Sequence, residues 1–581
     1  MHVRNMHNMR NAAYCYYNSN NLDKLLKTDS DDLDDLSPEM PIDLPSELSD
    51  YLDMVGKGEV PFLSIDDECE IYGKVLNDVI HGSISLHPLL IKFIDTEEFQ
   101  RLREIKALGM TSLLFPTANH KRFEHSIGVS HLAGQFVQAL DRKHPELEIS
   151  RSEILCVMLA GLLHDIGHGP FSHTFEKFMR AANPTAQWTH EQASLDMIDY
   201  LITKKDLLPT IKAFGLGDED IRFIKELIFG PLNGCQEVTA RPKKRHFLYE
   251  IVSNKINGID VDKWDYLARD GYQVDEGGSF DHQRFITHSR VAFTGTGNDR
   301  RRCIMFRDKE VGNFYDMFNA RYRMHKKVYR HRVSLILDEM IVDVMKAADG
   351  HLRLKGLNGT FYKLSEAFKD MAAYARLDDG SIRTWIKNDD SLEMEEAKAL
   401  WKRIDERKLY CCIGRTEPRE SIDQTIDTIL EELTAMLVKM PDANFISAER
   451  FRKNVIILKN EFDYGKKDEN PLDHVLFFEK KKLNYPKTIS SNEVSKLLPT
   501  TFSETEILFL YRSEDKIEQR GAAAVVEAWA KFSHFSLKNS TVKLSEIKYS
   551  KTTKLTPQEV KMKENAKRKL DFYGKGLPLA Q

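Results

Sequence analysis

Cysteine is sparse in this chain: seven residues among 581, scattered, with only Cys411 and Cys412 close together and no CxxC pair. That spacing excludes a zinc-finger framework. The odd count argues against a disulfide scaffold, so a reducing intracellular compartment, nucleus or cytoplasm, is expected. No apolar run reaches membrane-spanning length, and the segment from Met1 to Met6 lacks the apolar core of a secretory signal, so no membrane partner is expected. Internal repeats are missing too. Net charge is −5, which excludes a polycation built as a whole for nucleic acid.

The charge that is present is uneven. From Asp29 to Asp53 there are many acids and no Lys or Arg, whereas lysine dominates from Lys538 to Lys575. Both ends read as solvated tails. Arg241-Pro242-Lys243-Lys244-Arg245 reads either as a nuclear import signal or as a solvated basic loop. The organisation expected is an acidic extension over 1–65, a catalytic core over 66–420, a smaller lobe over 421–545 and a basic tail over 546–581. Ile71 to Leu76 reads as a short strand closed by Asn77-Asp78. Helices then dominate: Thr96 with Glu97 and Glu98 marks a helix start, and Ile127, Leu132, Phe136 and Leu140 keep helical spacing. Ile154, Leu155, Met158, Leu162 and Leu163 do the same and deliver His164 and Asp165 at a helix end. Short strands are expected around Arg302–Phe306 and Val455–Leu458. The fold class is mainly α, with a smaller mixed α/β lobe at the C-terminal side.

The chemistry concentrates in Leu163-His164-Asp165-Ile166-Gly167-His168-Gly169-Pro170-Phe171-Ser172-His173. Adjacent His and Asp offer one metal a nitrogen and an oxygen. His125, in Arg122-Phe123-Glu124-His125, and Asp262, in Asp260-Val261-Asp262-Lys263-Trp264-Asp265-Tyr266, complete a mixed ligand set. Such a set favours iron, manganese or zinc over calcium and suits activation of water against a phosphate ester. A buried His-Asp hydrogen-bond network is the competing account of the same residues. His168, His173 and His190 are candidates to give a proton to a leaving oxygen or to bind phosphate, oriented by Glu176 or Glu191. Arg122, Lys263 and Arg321 are candidate phosphate clamps.

These segments, with Trp188-Thr189-His190-Glu191-Gln192 and Asn257-Gly258-Ile259-Asp260-Val261-Asp262, resemble the animal SAM-and-HD-domain deoxynucleoside triphosphate triphosphohydrolases from about Ile71 to about Thr556. The resemblance implies an HD-domain helical core. It also implies hydrolysis of a dNTP in one step to a deoxynucleoside and inorganic triphosphate, which lowers cellular dNTP pools and serves antiviral defence. It implies His125, His164, Asp165 and Asp262 as metal ligands, magnesium accompanying the nucleotide, and His168, His173, His190 and Glu176 around the α-phosphate with His173 as general acid. Arg122, Lys263 and Arg321 would hold the triphosphate. Tyr266 and Asp270 would face the sugar, with Leu108, His325 and Tyr329 framing the pocket. Activation is implied as well: GTP or dGTP at Lys74, Val75, Asp95, Gln100 and Arg103. A dNTP would occupy Asn77, Asp281, Arg284, Arg307, Lys309, Asn313, His331, Arg332 and Val333. Both would assemble homodimers into a homotetramer. By themselves these charged positions read as ordinary surface.

The chain also departs from the family. The first 65 or so residues are too short and too acidic for a sterile-alpha-motif domain. Ala107 and Arg330 stand where the family has glutamines near the sugar and the base edge. Asn319 replaces a phosphate-side histidine, and Glu176 replaces an aspartate. Losing one hydrogen bond to a substrate hydroxyl typically costs ~0.5–1.5 kcal/mol, so altered affinity or base preference is expected. Thr556-Pro557-Gln558 matches a kinase site of the family, with Glu559 in place of a basic residue. Two other readings stay open: an HD phosphodiesterase acting on another nucleotide, and a regulator gripping single-stranded nucleic acid through Arg103, Arg307, Lys309 and Arg332.

Overall fold

Helix-forming periodicity gives a mainly helical core. The computed structural model describes residues 44–232, 237–278, 280–295, 300–440 and 446–538. The acidic run before residue 44, the basic tail and Thr556 lie outside the described residues. The last part of the expected acidic extension is in fact ordered. Helix α1 (Ser46–Gly56) buries Leu48, Tyr51 and Leu52 against the core, and α2 (Ile65–Tyr72) follows, capped by the Ser64 hydroxyl. Ile71 and Tyr72 therefore close a helix, and the strand begins later, at β1 (Lys74–Asp78). It pairs antiparallel with β2 (Gly82–Leu86). The short acidic composition hid α1, because three apolar side chains were enough to dock it.

Helices α3 (Arg122–Lys143) and α4 (Arg151–Leu163) pack side by side at the centre of the core. α4 is apolar all round, from Ile154 to Leu163, as a fully buried helix must be. Around them lie α5 (His173–Ala182), α6 (His190–Lys204) and α7 (Val261–Val274). Strands β3 (Ser289–Thr294) and β4 (Arg301–Arg307) form a hairpin in register Ser289 opposite Phe306. They precede α8 (Val311–Met324) and α9 (Arg332–Asp349), which are joined by a π-helical turn, His325–Tyr329.

The smaller lobe is an antiparallel sheet. One of its two inner strands, β5 (Cys411–Thr416), comes from before residue 421, followed by α10 (Ile426–Lys439) and β6 (Val455–Asp463). β7 (Phe477–Glu479) and β8 (Lys482–Lys487) leave to join β4 and β3. β9 (Ser503–Tyr511) then returns between β5 and β6, and α11 (Lys516–Phe532) and β10 (Leu537–Lys538) complete the lobe. Alternation along β9 explains why the lobe adheres. Ile507, Phe509 and Tyr511 face α10 and α11, whereas Leu508 and Leu510 join the main core.

Arg241 and Arg245 are not free loop cations: both reach Glu153 and the carbonyls or carboxylates beside it, leaving Lys243 and Lys244 as the exposed charges of that segment. No helix among the described residues is long and apolar enough to cross a membrane, and no disulfide joins the described cysteines.

Candidate metal centre

Three helix ends converge to build the centre. His125 sits in the first turn of α3, His164 and Asp165 follow the last residue of α4, and Asp262 lies in the first turn of α7. The Asp260 side chain caps α7 on the Lys263 N–H. His125 Nε2 lies 3.2 Å from Asp262 Oδ1 and 3.4 Å from Asp165 Oδ2. His164 Nε2 lies 3.5 Å from Asp262 Oδ1 and 3.4 Å from Asp165 Oδ1. His125, His164 and Asp262, separated by up to 137 positions, thus bring ligand atoms within 4.8 Å of one another, and Asp165 flanks both imidazoles through its two different oxygens.

The far side of each imidazole is already committed. His125 Nδ1–H donates to Asp265 Oδ2 at 2.7 Å, and His164 Nδ1–H donates to the Gly161 carbonyl at 2.8 Å. Both rings therefore turn Nε2 inward, and His164 Nε2 is buried without a hydrogen-bond partner. An orphaned imidazole nitrogen beside two carboxylates fits a divalent transition ion, with the outer partners fixing tautomer and ring plane. Burial opposes a charged His125 ring, yet Asp262 and Asp265 hold its pKa up to about 10. Burial also opposes ionisation of Asp165, but Arg122, His164 and His168 keep its carboxyl well below the usual range.

The turn after Asp165 is tightly shaped. A Cβ on Gly167 would stand 2.1 Å from the Ser194 nitrogen, and one on Gly169 2.3 Å from the Phe175 ring. Phe171 and Ser172 both take left-handed φ, 60° and 55°. The fully buried Arg101 guanidinium donates to the carbonyls of Ile166, His168 and Leu377, and Tyr374 Oη–H donates to the Gly167 carbonyl at 2.7 Å. Asp379 accepts from Phe171 N–H (2.6 Å) and Lys106 N–H (3.1 Å).

This turn presents a second cluster. His168 Nε2 lies 3.4 Å from Asp165 Oδ1, and its ring stacks on His190 with centroids 4.0 Å apart. Glu176 Oε1 accepts from His173 Nδ1 at 2.8 Å and from His190 Nδ1 at 2.9 Å, so both rings expose Nε2. Burial penalises the Glu176 carboxylate, but those two imidazoles lower its pKa strongly. His173 is the exposed member of the set, and its outer nitrogen is open to an incoming molecule.

Of the candidate phosphate groups, Arg122 binds Asp165 through Nη1 and Ser172 Oγ through Nε. Lys263 Nζ lies 3.2 Å from both Asp260 oxygens, and Arg321 Nη1 lies 2.8 Å from Asp463 Oδ1 at the end of β6. Asp270 accepts from Tyr329 Oη–H (2.6 Å) and His120 Nε2–H (2.7 Å). His325 packs edge-on to Tyr329. Leu108, Tyr266 and Tyr329 are partly buried against the same core. Arg330 donates to the Glu461 carbonyl, and Asn319 accepts from Tyr464 Oη–H at 3.3 Å.

The residues that the resemblance assigned to activators lie apart from this centre in smaller groups. Lys74 Nζ meets Asp95 Oδ2 at 3.0 Å, Arg103 Nε meets Gln100 Oε1 at 2.7 Å, and Val75 is exposed. Asp281 and Asn313 exchange two hydrogen bonds, Arg284 pairs with Glu310, and Arg307 pairs with Asp308 beside Lys309. His331 caps α9 on the Val333 N–H, and Arg332 reaches the Cys412 thiol. Asn77 accepts from Ser83 in the β1–β2 hairpin. Residues the sequence reading left without a role include Asp265, His81, Arg269, Arg101, His120, Tyr374 and Asp379. Only Asp265 carried a signal, three residues after Asp262 on the same helix.

The HD domain family matches residues 122–270, the span that holds every proposed metal ligand. The deoxynucleoside triphosphate triphosphohydrolase SAMHD1 of Homo sapiens is 42% identical over 473 residues, 80% of this chain and 74% of that protein. Its Gallus gallus counterpart is 43% identical over 468 residues, 78% and 75% of the two chains. The SAMHD1 homolog of Dictyostelium discoideum is 35% identical over 447 residues, 77% and 79%. With identities of 35–43% over more than three quarters of its length, this chain belongs to the SAMHD1 family of deoxynucleoside triphosphate triphosphohydrolases.

Proposed function

We propose that this chain hydrolyses deoxynucleoside triphosphates to a deoxynucleoside and inorganic triphosphate at the His125, His164, Asp165 and Asp262 centre. The observation that carries the reading is the pair of inward Nε2 atoms facing two carboxylates, one of those nitrogens buried and unpartnered. Iron, manganese or zinc fits this donor set. When bound, such an ion supplies Lewis acidity and lowers the pKa of water, with magnesium accompanying the nucleotide.

The chain's own groups do the rest. Lys263 and Arg321, beside Arg122, hold the triphosphate at the mouth of the centre, because several cations are needed to offset its charge. His168 and His190 line the α-phosphate. His173 donates a proton from Nε2 to the departing 5′-oxygen, and Glu176 fixes its ring through Nδ1. Tyr266 crowds the sugar C2′ and disfavours a ribose hydroxyl, while Asp270, Tyr329, His325 and Leu108 complete the pocket. GTP or dGTP at Lys74, Val75, Asp95, Gln100 and Arg103 activates the enzyme. A dNTP at Asn77, Asp281, Arg284, Arg307, Lys309, Asn313, His331, Arg332 and Val333 acts with it, through assembly of a homotetramer.

Incubation with each dNTP, with and without GTP, followed by product analysis tests this. Triphosphate plus deoxynucleoside is expected; monophosphate plus pyrophosphate assigns a different cleavage. Strand binding with a steep salt dependence and no dNTP turnover would favour the nucleic-acid reading instead. The double variant His164→Ala, Asp165→Ala is expected to lose turnover and metal content together.

A further inference from the structure

The β1–β2 hairpin reaches the metal centre through a chain of buried hydrogen bonds. Asp265 stands between them, fully buried, with both carboxylate oxygens filled. Oδ2 accepts from His125 Nδ1 at 2.7 Å and from Arg269 Nε at 2.9 Å. Oδ1 accepts from Arg269 Nη2 at 2.9 Å and from His81 Nε2 at 2.6 Å. Room for this cluster exists because residue 128 on α3 is glycine: a Cβ there would stand 2.1 Å from Asp265 Oδ1.

Two of the three donors' supports come from the hairpin. Asp78, the last residue of β1, accepts from Arg269 Nη1 through Oδ2 at 2.7 Å. Its other oxygen accepts from the N–H groups of Ile80 (2.8 Å) and His81 (2.9 Å), which shapes the turn before Gly82, where φ is +71°. One carboxylate thus both anchors Arg269 and presents the His81 ring. Asp78, His81, Arg269 and Asp265 side chains are all less than a tenth exposed, while Val79 at the hairpin tip is largely exposed. A buried carboxylate that accepts four hydrogen bonds from three side chains is costly to leave partly filled.

We infer that the hairpin turn Asp78–His81 is a positioning element for the metal ligand His125, acting through Asp265 and Arg269. The inference rests on the metal centre described under the proposed function and adds a residue set outside it. If the turn shifts, Asp265 loses the donors that hold its carboxylate in place, and the acceptor that fixes the tautomer and plane of His125 is no longer held in position. Outer partners of metal-bound histidines typically govern affinity by about 10–100-fold.

The test is manganese(II) titration of the full-length chain, followed by electron paramagnetic resonance, with circular dichroism and thermal melts on the same samples. Asp78→Asn and His81→Leu are expected to raise the manganese dissociation constant at least tenfold while the chain stays folded. His81→Gln keeps an N–H donor near the position of Nε2 and is expected to restore affinity to within about threefold of wild type, by the same outer-partner rule. A merely structural role would lower the melting temperature of all three without separating Gln from Leu. The inference is overturned if folded Asp78→Asn and His81→Leu chains bind manganese as tightly as wild type, or if His81→Gln fails as badly as His81→Leu. If wild type and the His164→Ala, Asp165→Ala variant bind manganese alike, the metal centre itself is wrong, a failure distinct from that of the hairpin.

Discussion

Glu250 shows how a single buried carboxyl writes a pH dependence into this chain. It lies beneath β4, where Oε2 accepts the Ile304 N–H at 3.1 Å. Burial pushes its carboxyl up to about 8, against the opposing pull of that N–H and of Arg301. The sign follows. Between the ordinary glutamate value, near 4.5, and about 8, the folded chain keeps a proton that the unfolded chain has released. Folding therefore takes up a proton in this window, and stability falls as pH rises, by at most about 1.4 kcal/mol per pH unit from this group. Glu250→Gln keeps the acceptor and removes the titration. Urea melts across pH 5 to 8 are expected to fall less steeply for the variant, which should be the more stable of the two at pH 8. Parallel curves would show that Glu250 is ionised or solvated in the folded chain.

At the scale of one element, the turn from Ile166 to His173 is held by its surroundings more than by its own sequence. Arg101 and Tyr374 take its carbonyls, and Asp379 takes the Phe171 N–H while also holding Lys106. Those bonds keep Phe171 and Ser172 at left-handed φ, which costs on the order of 1 kcal/mol per residue and aims His173 outward. Asp379→Asn replaces one acceptor oxygen with an amide that also donates, so one backbone N–H faces a donor. A loss of about 1–3 kcal/mol of stability is expected, with kcat reduced more than KM, because the variant disturbs the turn that carries His173, the proposed proton donor, and leaves Lys263 and Arg321 in place. Steady-state kinetics with a thermal melt checks it; a change in KM alone would place Asp379 in substrate binding. The sequence made this turn legible as chemistry, since His, Asp and Gly in such density have few other uses. Its supports were not legible. Arg101 and Asp379 come from segments 65 and about 208 positions away, and an isolated Arg or Asp carries no local pattern. Helices α3 and α4 were readable from their apolar spacing. α1 was not, because its three buried residues sit inside an acidic run, and β1 was placed early because Ile71 and Tyr72 are good strand formers that instead end a helix.

At the scale of the whole molecule, the smaller lobe and the hairpin are fastened to the same helical core by polar contacts. Asp343 on α9 accepts from Tyr410 Oη–H at 2.8 Å and Arg512 Nε at 2.6 Å, so the residues flanking β5 and β9 are tied to the core. On the opposite flank, the proposed guanine-nucleotide residue Asp95 pairs with Lys74 of β1, the strand whose last residue is Asp78. That ion pair is half-exposed and contributes little by itself, so exchanging it for contacts to a guanine edge is inexpensive, and binding there would steady the hairpin. Linkage then requires reciprocity: by whatever factor bound GTP changes metal affinity through the hairpin, bound metal changes GTP affinity by the same factor. Asp95→Asn removes an acceptor that a guanine N1–H and amino group need. It is expected to raise the GTP concentration for half-maximal activation at least tenfold, the effect of losing about 1.4 kcal/mol, and to weaken assembly seen by light scattering with GTP and dNTP. Manganese content should stay at the wild-type level, because Asp95 touches none of the groups that reach His125. Undiminished activation would remove Asp95 from the guanine site, whereas loss of metal in this variant would mean that β1 communicates with the centre by a route other than Asp78 and His81.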